Sequence, residues 1–150
     1  SSIIIHVYKF LYLYKKHKIK NMKILKYLLS AAVSLVVLNV WFFRFNQSTL
    51  YRGGDAANMV EEFAVYGLSE TMVYIIGGLK VFAALGLLIG FFKEKTIIPS
   101  SGLMALLMLG AIYMHFRVAD EAIKYLPAGL MFVFSALLFF IQIRTSIPKE

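Results

Sequence analysis

Four long apolar runs separated by short charged loops constrain this chain more than any other feature. They cover Tyr27–Phe43, Met72–Phe92, Thr96–Phe116 and Leu126–Ile143. Each is long enough to cross roughly 30 Å of hydrocarbon as a helix. The only charge inside any of them is Lys80. Backbone polar groups in lipid must bond within their own segment, so runs of this kind predict helices. The expected fold is an all-α integral membrane protein, a bundle of four transmembrane helices. Soluble-enzyme architectures are excluded.

The net charge of +8 would suggest nucleic acid in a soluble protein. Its distribution argues against that partner, because seven of the sixteen basic residues precede the first run. That placement is a topology signal. With both termini inside, Lys and Arg divide eleven inside to four outside (Arg44, Arg52, Arg117, Lys124). The bias predicts a multi-pass membrane protein with both termini cytoplasmic. Counting only from Met22 leaves six against four, with the same sign.

Ser1–Asn21 stands apart, rich in Ile, Tyr, Phe and Lys. Residues 1–21 are either a basic amphipathic arm on the membrane surface or a non-native upstream extension, with Met22 opening the membrane domain of residues 22–150. N-terminal sequencing of the native protein separates the two. A cleaved signal peptide is disfavoured, because Trp41-Phe42-Phe43-Arg44 follows the apolar run with no small-residue cleavage pattern.

The first loop, Arg44–Thr71, is the only long one. Asn46-Gln47-Ser48 and Gly53-Gly54 mark turns. Asp55 is then placed to cap a short amphipathic helix running to about Tyr66, with Ala56, Met59, Val60 and Phe63 on its apolar stripe and Glu61 and Glu62 off it. Gly67 ends it. Phe92-Lys93-Glu94-Lys95 is short enough to force an antiparallel hairpin between the second and third runs. Pro127 falls in the first turn of the last run, where its missing N–H costs little.

Lys80 is the candidate of most interest. A cation that deep costs a few kcal/mol unless it is paired or snorkels. Since the runs contain no acid, its counter-charge must come from a loop carboxylate, a ligand or deprotonation. Glu62 and Glu70 are the candidate carboxylates. A lysine that only snorkels into a wet cleft is the competing structural reading. Asn39, Tyr113 and His115 lie near the same end, and with Lys80 and Glu70 they would line one outward-opening polar cavity if the helices face each other. Taken singly, Tyr113 fits an aromatic belt and His115 an interfacial histidine. Gly77, Gly86, Gly90, Gly110 and Ala111 are expected at helix-packing faces. They support a membrane-protein partner or a homo-oligomer only weakly.

Catalytic signatures are absent from the sequence. There is no cysteine, and His6, His17 and His115 are far apart, so no metal site is expected. Nucleophile–base pairs and phosphate loops are missing too. No cofactor signature is evident. A quinone site can nevertheless be built from Lys80, Tyr113 and His115 as donors beneath an apolar tunnel.

Ile76-Gly77-Gly78-Leu79-Lys80 in the second run and Leu109-Gly110-Ala111-Ile112-Tyr113-Met114-His115 in the third, together with the long first loop, resemble the DoxX-like family of small bacterial membrane proteins. The resemblance covers about Met22 to Ile143. It implies a four-helix bundle in the cytoplasmic membrane. The family takes its name from a subunit of an archaeal thiosulfate:quinone oxidoreductase, and similar folds serve as receptor-assembly chaperones and cargo receptors. Two functions are therefore expected to compete. One is an accessory subunit of a quinone-linked redox complex, and the other a non-enzymatic assembly protein. Many relatives carry Glu where this chain has Lys80, so a carboxylate or proton-relay role does not transfer to that position. A small transporter ranks below both, because four spans with one buried cation make a poor pore unless the chain oligomerises.

Overall fold

A computed structural model describes residues 2–147, which are helical or in turns throughout. Ser1 and residues 148–150, including the Lys149 counted as an inside charge, lie outside the described residues. The elements are α1 (Ser2–Leu38), α2 (Met59–Val65), α3 (Glu70–Ile89), α4 (Ile97–Arg117) and α5 (Leu126–Ser146). A π-helical segment, Asn39–Phe43, continues α1, and 3₁₀ turns at Glu94–Thr96 and Ala122–Tyr125 lead into α4 and α5. Four helical stretches are long and apolar enough to cross a membrane: Ser2–Phe43, Glu70–Ile89, Glu94–Arg117 and Ala122–Ser146.

These four close into a ring. α1 packs on α3, α3 on α4, α4 on α5, and α5 back on α1, while α2 lies against α3. Short connections make α3, α4 and α5 successive antiparallel neighbours, as in an up-down bundle. Within the four apolar runs each helix is apolar on nearly every side, the pattern of a helix with lipid outside and protein inside. Tyr74, Phe82, Leu106, Phe116 and Phe140 project outward, while Val33, Leu87, Ile97, Met104 and Leu138 are fully buried in the centre.

Lipid tails are as apolar as leucine, so close approach and polar bonds must hold such helices together. The hairpin end shows both. A side chain on Gly86 would collide with Ser100, and one on Gly90 would come within 2.5 Å of Ile97. The Thr96 hydroxyl donates to the Gly86 carbonyl at 2.7 Å. Ser34 joins α1 to α3 through the Ala84 carbonyl at 2.9 Å. Glu94 ties the hairpin to α1, accepting from Lys26 at 3.1 Å and Tyr27 at 3.2 Å, and the Tyr27 ring stacks on Phe91 at 4.9 Å.

Toward the other end, a side chain on Gly77 would strike the Trp41 ring. Gly77, Gly86 and Gly90 therefore sit where a neighbouring element leaves no room for a side chain. Gly110 does not, since a Cβ there would meet nothing within 4 Å. Ala111 packs at the edge of the core. The reason Gly110 has room is the cavity beside it.

Candidate functional site

The first loop builds one wall of this site. α2 begins later than Asp55 would suggest. Asn58 is the cap, accepting from the Glu61 amide at 2.9 Å and donating to the Glu61 carboxylate at 2.8 Å, while Ala57 N–H donates to the other Glu61 oxygen at 2.8 Å. Asn58 and Glu61 satisfy each other's end of the helix in a way Asp55, exposed in the preceding turn, does not. This register also corrects the face of the helix. Met59, Phe63 and Tyr66 turn inward, and Glu62 turns inward with them.

Glu62 is drawn in by Arg52, only 5% exposed. Arg52 Nη1 donates to Glu62 Oε2 at 2.8 Å. The rest of the guanidinium serves the backbone, donating to the carbonyls of Arg44 (2.6 Å), Gln47 (3.1 Å) and Phe45 (3.2 Å). Arg52 thus folds the Arg44–Gly53 loop around itself, using a fork of donors that lysine lacks. The second Glu62 oxygen, Oε1, accepts from Gly53 N–H at 2.9 Å and from the Tyr66 hydroxyl at 3.1 Å. Gly53 has to be glycine here, because a Cβ would run into the Tyr66 ring.

Tyr66 carries the network from the loop to the bundle. Its hydroxyl oxygen lies 3.2 Å from His115 Nδ1 and 3.4 Å from Nε2. The two rings meet edge to face at 5.7 Å. Burial, and then the neighbouring Glu62 carboxylate, raise the Tyr66 pKa well above the ordinary phenol value. The hydroxyl therefore stays protonated, with a single proton to share between Glu62 and His115.

His115 in turn meets Asp120, Nδ1 to Oδ2 at 2.7 Å. The backbone makes this contact possible. α4 ends at Arg117, and Ala119 then takes φ +52°, a left-handed conformation that L-residues seldom adopt. The Asp120 amide folds back to the His115 carbonyl at 3.1 Å. Asp120 Oδ1 accepts from Gly54 N–H at 2.8 Å, and Lys124 Nζ lies 3.6 Å from Oδ1 and 2.5 Å from the Gly54 carbonyl. Gly54, at φ +56°, presents both backbone groups. Burial works against the Asp120 anion, but the His115 bond, the Gly54 amide and the charges of His115 and Lys124 outweigh it, and the carboxyl is held below its ordinary range.

Behind this network lies a cavity of about 570 Å³, within the range that holds a small organic ligand. Its wall includes Asn39, Ile76, Lys80, Ala111, His115 and Met131, drawn from all four spanning helices. Lys80 is half-buried about 15 Å along α3. Its ammonium sits 5.7 Å from the centre of the Trp41 ring, a cation–π distance. Trp41 occupies the π-helical segment, a rare geometry that recurs at functional sites. Among the described residues, Lys80 makes no ion pair.

Of the six residues expected at a common site, Asn39, Glu62, Lys80 and His115 line this cavity. Tyr113 does not; it is 57% exposed on the outer face of α4, two residues out of phase with His115. Glu70 also lies elsewhere, exposed at the start of α3, where it accepts from the Tyr74 hydroxyl at 3.2 Å. Neither Glu70 nor Glu62 closes on Lys80, because Glu62 is held by Arg52. Four contributors were missed: Arg52, Tyr66, Asp120 and Lys124. Asp120 alone left a readable trace, an acid five residues after a histidine at a helix end. No cluster of three or more metal-ligating side chains occurs among the described residues.

Fold and site together define a multi-pass membrane protein with a ligand-sized cavity sealed at one end by a polar network. A model of the DoxX-like family matches residues 33–139, and the chain belongs to that family. No curated protein and no solved structure matches it significantly.

Proposed function

We propose that this protein is an accessory, ligand-holding subunit of a quinone-linked redox complex in the bacterial cytoplasmic membrane. The cavity with Lys80 on its wall carries this reading. Its largely apolar lining suits a lipid-soluble molecule, and Lys80 offers a donor to an acceptor oxygen, either a quinone carbonyl or an anionic headgroup. The site provides binding and orientation, and the electrons would come from a partner protein. Native mass spectrometry of the gently solubilised protein from its own host is the test. A bound quinone or a co-purifying redox enzyme is expected. A non-redox membrane partner with an empty cavity would overturn the proposal in favour of a membrane assembly protein. One observation favours that second reading: Gly78 is exposed on α3 with nothing within 4 Å of a Cβ, which leaves room for a neighbouring helix.

The orientation proposed with it places both termini in the cytoplasm and the Arg52–Asp120 network outside. The basic residues of the α1 arm and of the α3–α4 hairpin support this. A reporter inserted at Gly53 should report an outside location. A cytoplasmic signal would reverse the protein in the membrane.

A further inference from the structure

We infer that the cavity selects an anionic amphiphile with a single hydrocarbon chain, a fatty-acid-type carboxylate whose headgroup pairs with Lys80. This rests on the cavity being a ligand site and is independent of the redox assignment.

The first argument is the state of the charges. Among the described residues the wall carries four cations, Arg44, Arg52, Lys80 and Lys124, and one carboxylate, Glu62. Asp120, behind the wall, adds one more negative charge, and cations remain in excess. Both nearby carboxylates are also fully engaged. Glu62 is bound by Arg52, Gly53 N–H and Tyr66. Asp120 is bound by His115, Gly54 N–H and Lys124. Arg52 and Lys124 are neutralised in return and Arg44 is exposed at the rim, which leaves Lys80 as the cation facing the apolar half of the cavity, beside the Trp41 ring and beyond ion-pair distance of Glu62, whose charge it still feels. A cation at that depth is costly without a counter-charge. Among the described residues no carboxylate pairs with it, so a ligand anion supplies the counter-charge; a Lys80 that instead stays neutral would show no preference for an anion.

The second argument is access. Val36 is 40% and Leu106 66% exposed on the lipid-facing surface, yet both line the cavity, as does Gly110, whose missing side chain leaves the wall open. The cavity is therefore continuous with the bilayer. A hydrocarbon chain can lie among Val36, Leu107 and Met131 while its headgroup reaches Lys80. The volume of about 570 Å³ takes one chain inside the cavity, and the second chain of a phospholipid would have to remain outside in the bilayer.

The test uses the full chain in nanodiscs of phosphatidylcholine, with empty nanodiscs as the blank. Palmitate, hexadecanol and decylubiquinone are titrated from neutral to alkaline pH, and the preference is read where it is largest, because the bond needs the palmitate carboxyl ionised and Lys80 protonated together. Palmitate should bind about tenfold or more tightly than hexadecanol, the scale of a charge-assisted bond. Lys80→Met should remove that preference while hexadecanol binding stays, Lys80→Arg should retain it, and Lys93→Met, remote on the hairpin, should leave it unchanged. The comparison of palmitate with hexadecanol on the unaltered protein stands even if Lys80→Met fails to fold. Equal affinity for the two overturns the inference. Binding of decylubiquinone alone would do the same while sustaining the cavity as a ligand site, and binding of none of the three would remove both. Displacement of palmitate by added phosphatidylglycerol would move the anion from a free fatty acid to a lipid headgroup and overturn the single-chain assignment.

Discussion

Arg52→Met is expected to destabilise the protein by about 3–5 kcal/mol, the cost of breaking a buried ion pair from one side. Methionine fills much the same space, so the loss is electrostatic rather than a cavity. It leaves the Glu62 carboxylate, with a side chain 12% exposed, without its cation. It also strips the donor from three loop carbonyls, those of Arg44, Phe45 and Gln47. Thermal unfolding in mild detergent reads the effect. The pairing with Glu62 is isolated by a double-mutant cycle. Arg52→Met with Glu62→Gln should cost less than the sum of the single variants, because the second change removes the orphaned charge. Additive losses would mean that Arg52 acts on the loop backbone alone. Arg52→Lys should recover only part of the stability, since one ammonium cannot serve Glu62 and the three carbonyls together.

What the sequence made legible follows from the length scale of each interaction. The spanning helices were visible because a 30 Å apolar slab imposes a continuous run of about 20 residues, and charge placement dominated the loops. Two inner glycines were visible for a similar reason: Gly86 and Gly90 sit on a helix whose neighbour follows from a short hairpin, whereas Gly77 meets Trp41 of the first span across the long loop. Lys80 stood out because it breaks an apolar run. The rest of the site was hidden because it depends on a loop folding back across the bundle. Glu62 looked solvent-facing because its inward turn is decided by Arg52, ten residues earlier, and by a cap at Asn58 rather than Asp55. Tyr66 reaches His115 across 49 residues, a contact no local pattern encodes. Tyr113 was misplaced for the opposite reason. Two residues along a helix is about 200° of rotation, so an aromatic near His115 in sequence faces away from it in space.

Asp120→Asn is expected to cost about 2–3 kcal/mol, from one or two buried donors left without an acceptor. Asp120 offers one oxygen to the His115 ring and the other to Gly54 N–H. Asparagine keeps one oxygen and turns an NH₂ toward the other donor, and Lys124 loses its partner as well. The pH dependence separates this from simple loss of packing. Asp120 has its carboxyl pKa depressed in the folded protein. Its contribution is therefore complete above the ordinary carboxylate value of about 3.9 and is lost as pH falls below it toward the depressed folded value. The unaltered protein should thus lose stability on acidification through that window, and Asp120→Asn should lose less, so that the gap between their unfolding midpoints narrows toward low pH. A gap that stays constant from neutral pH to the acid limit would show that the charge of Asp120 contributes nothing. In that case the loop around Gly54 would be closed by shape alone. If the gap narrows, the connection from Gly54 through Asp120 and His115 to Tyr66 is an electrostatic clasp, and it holds shut the loop-bearing end of the cavity on which the ligand site depends.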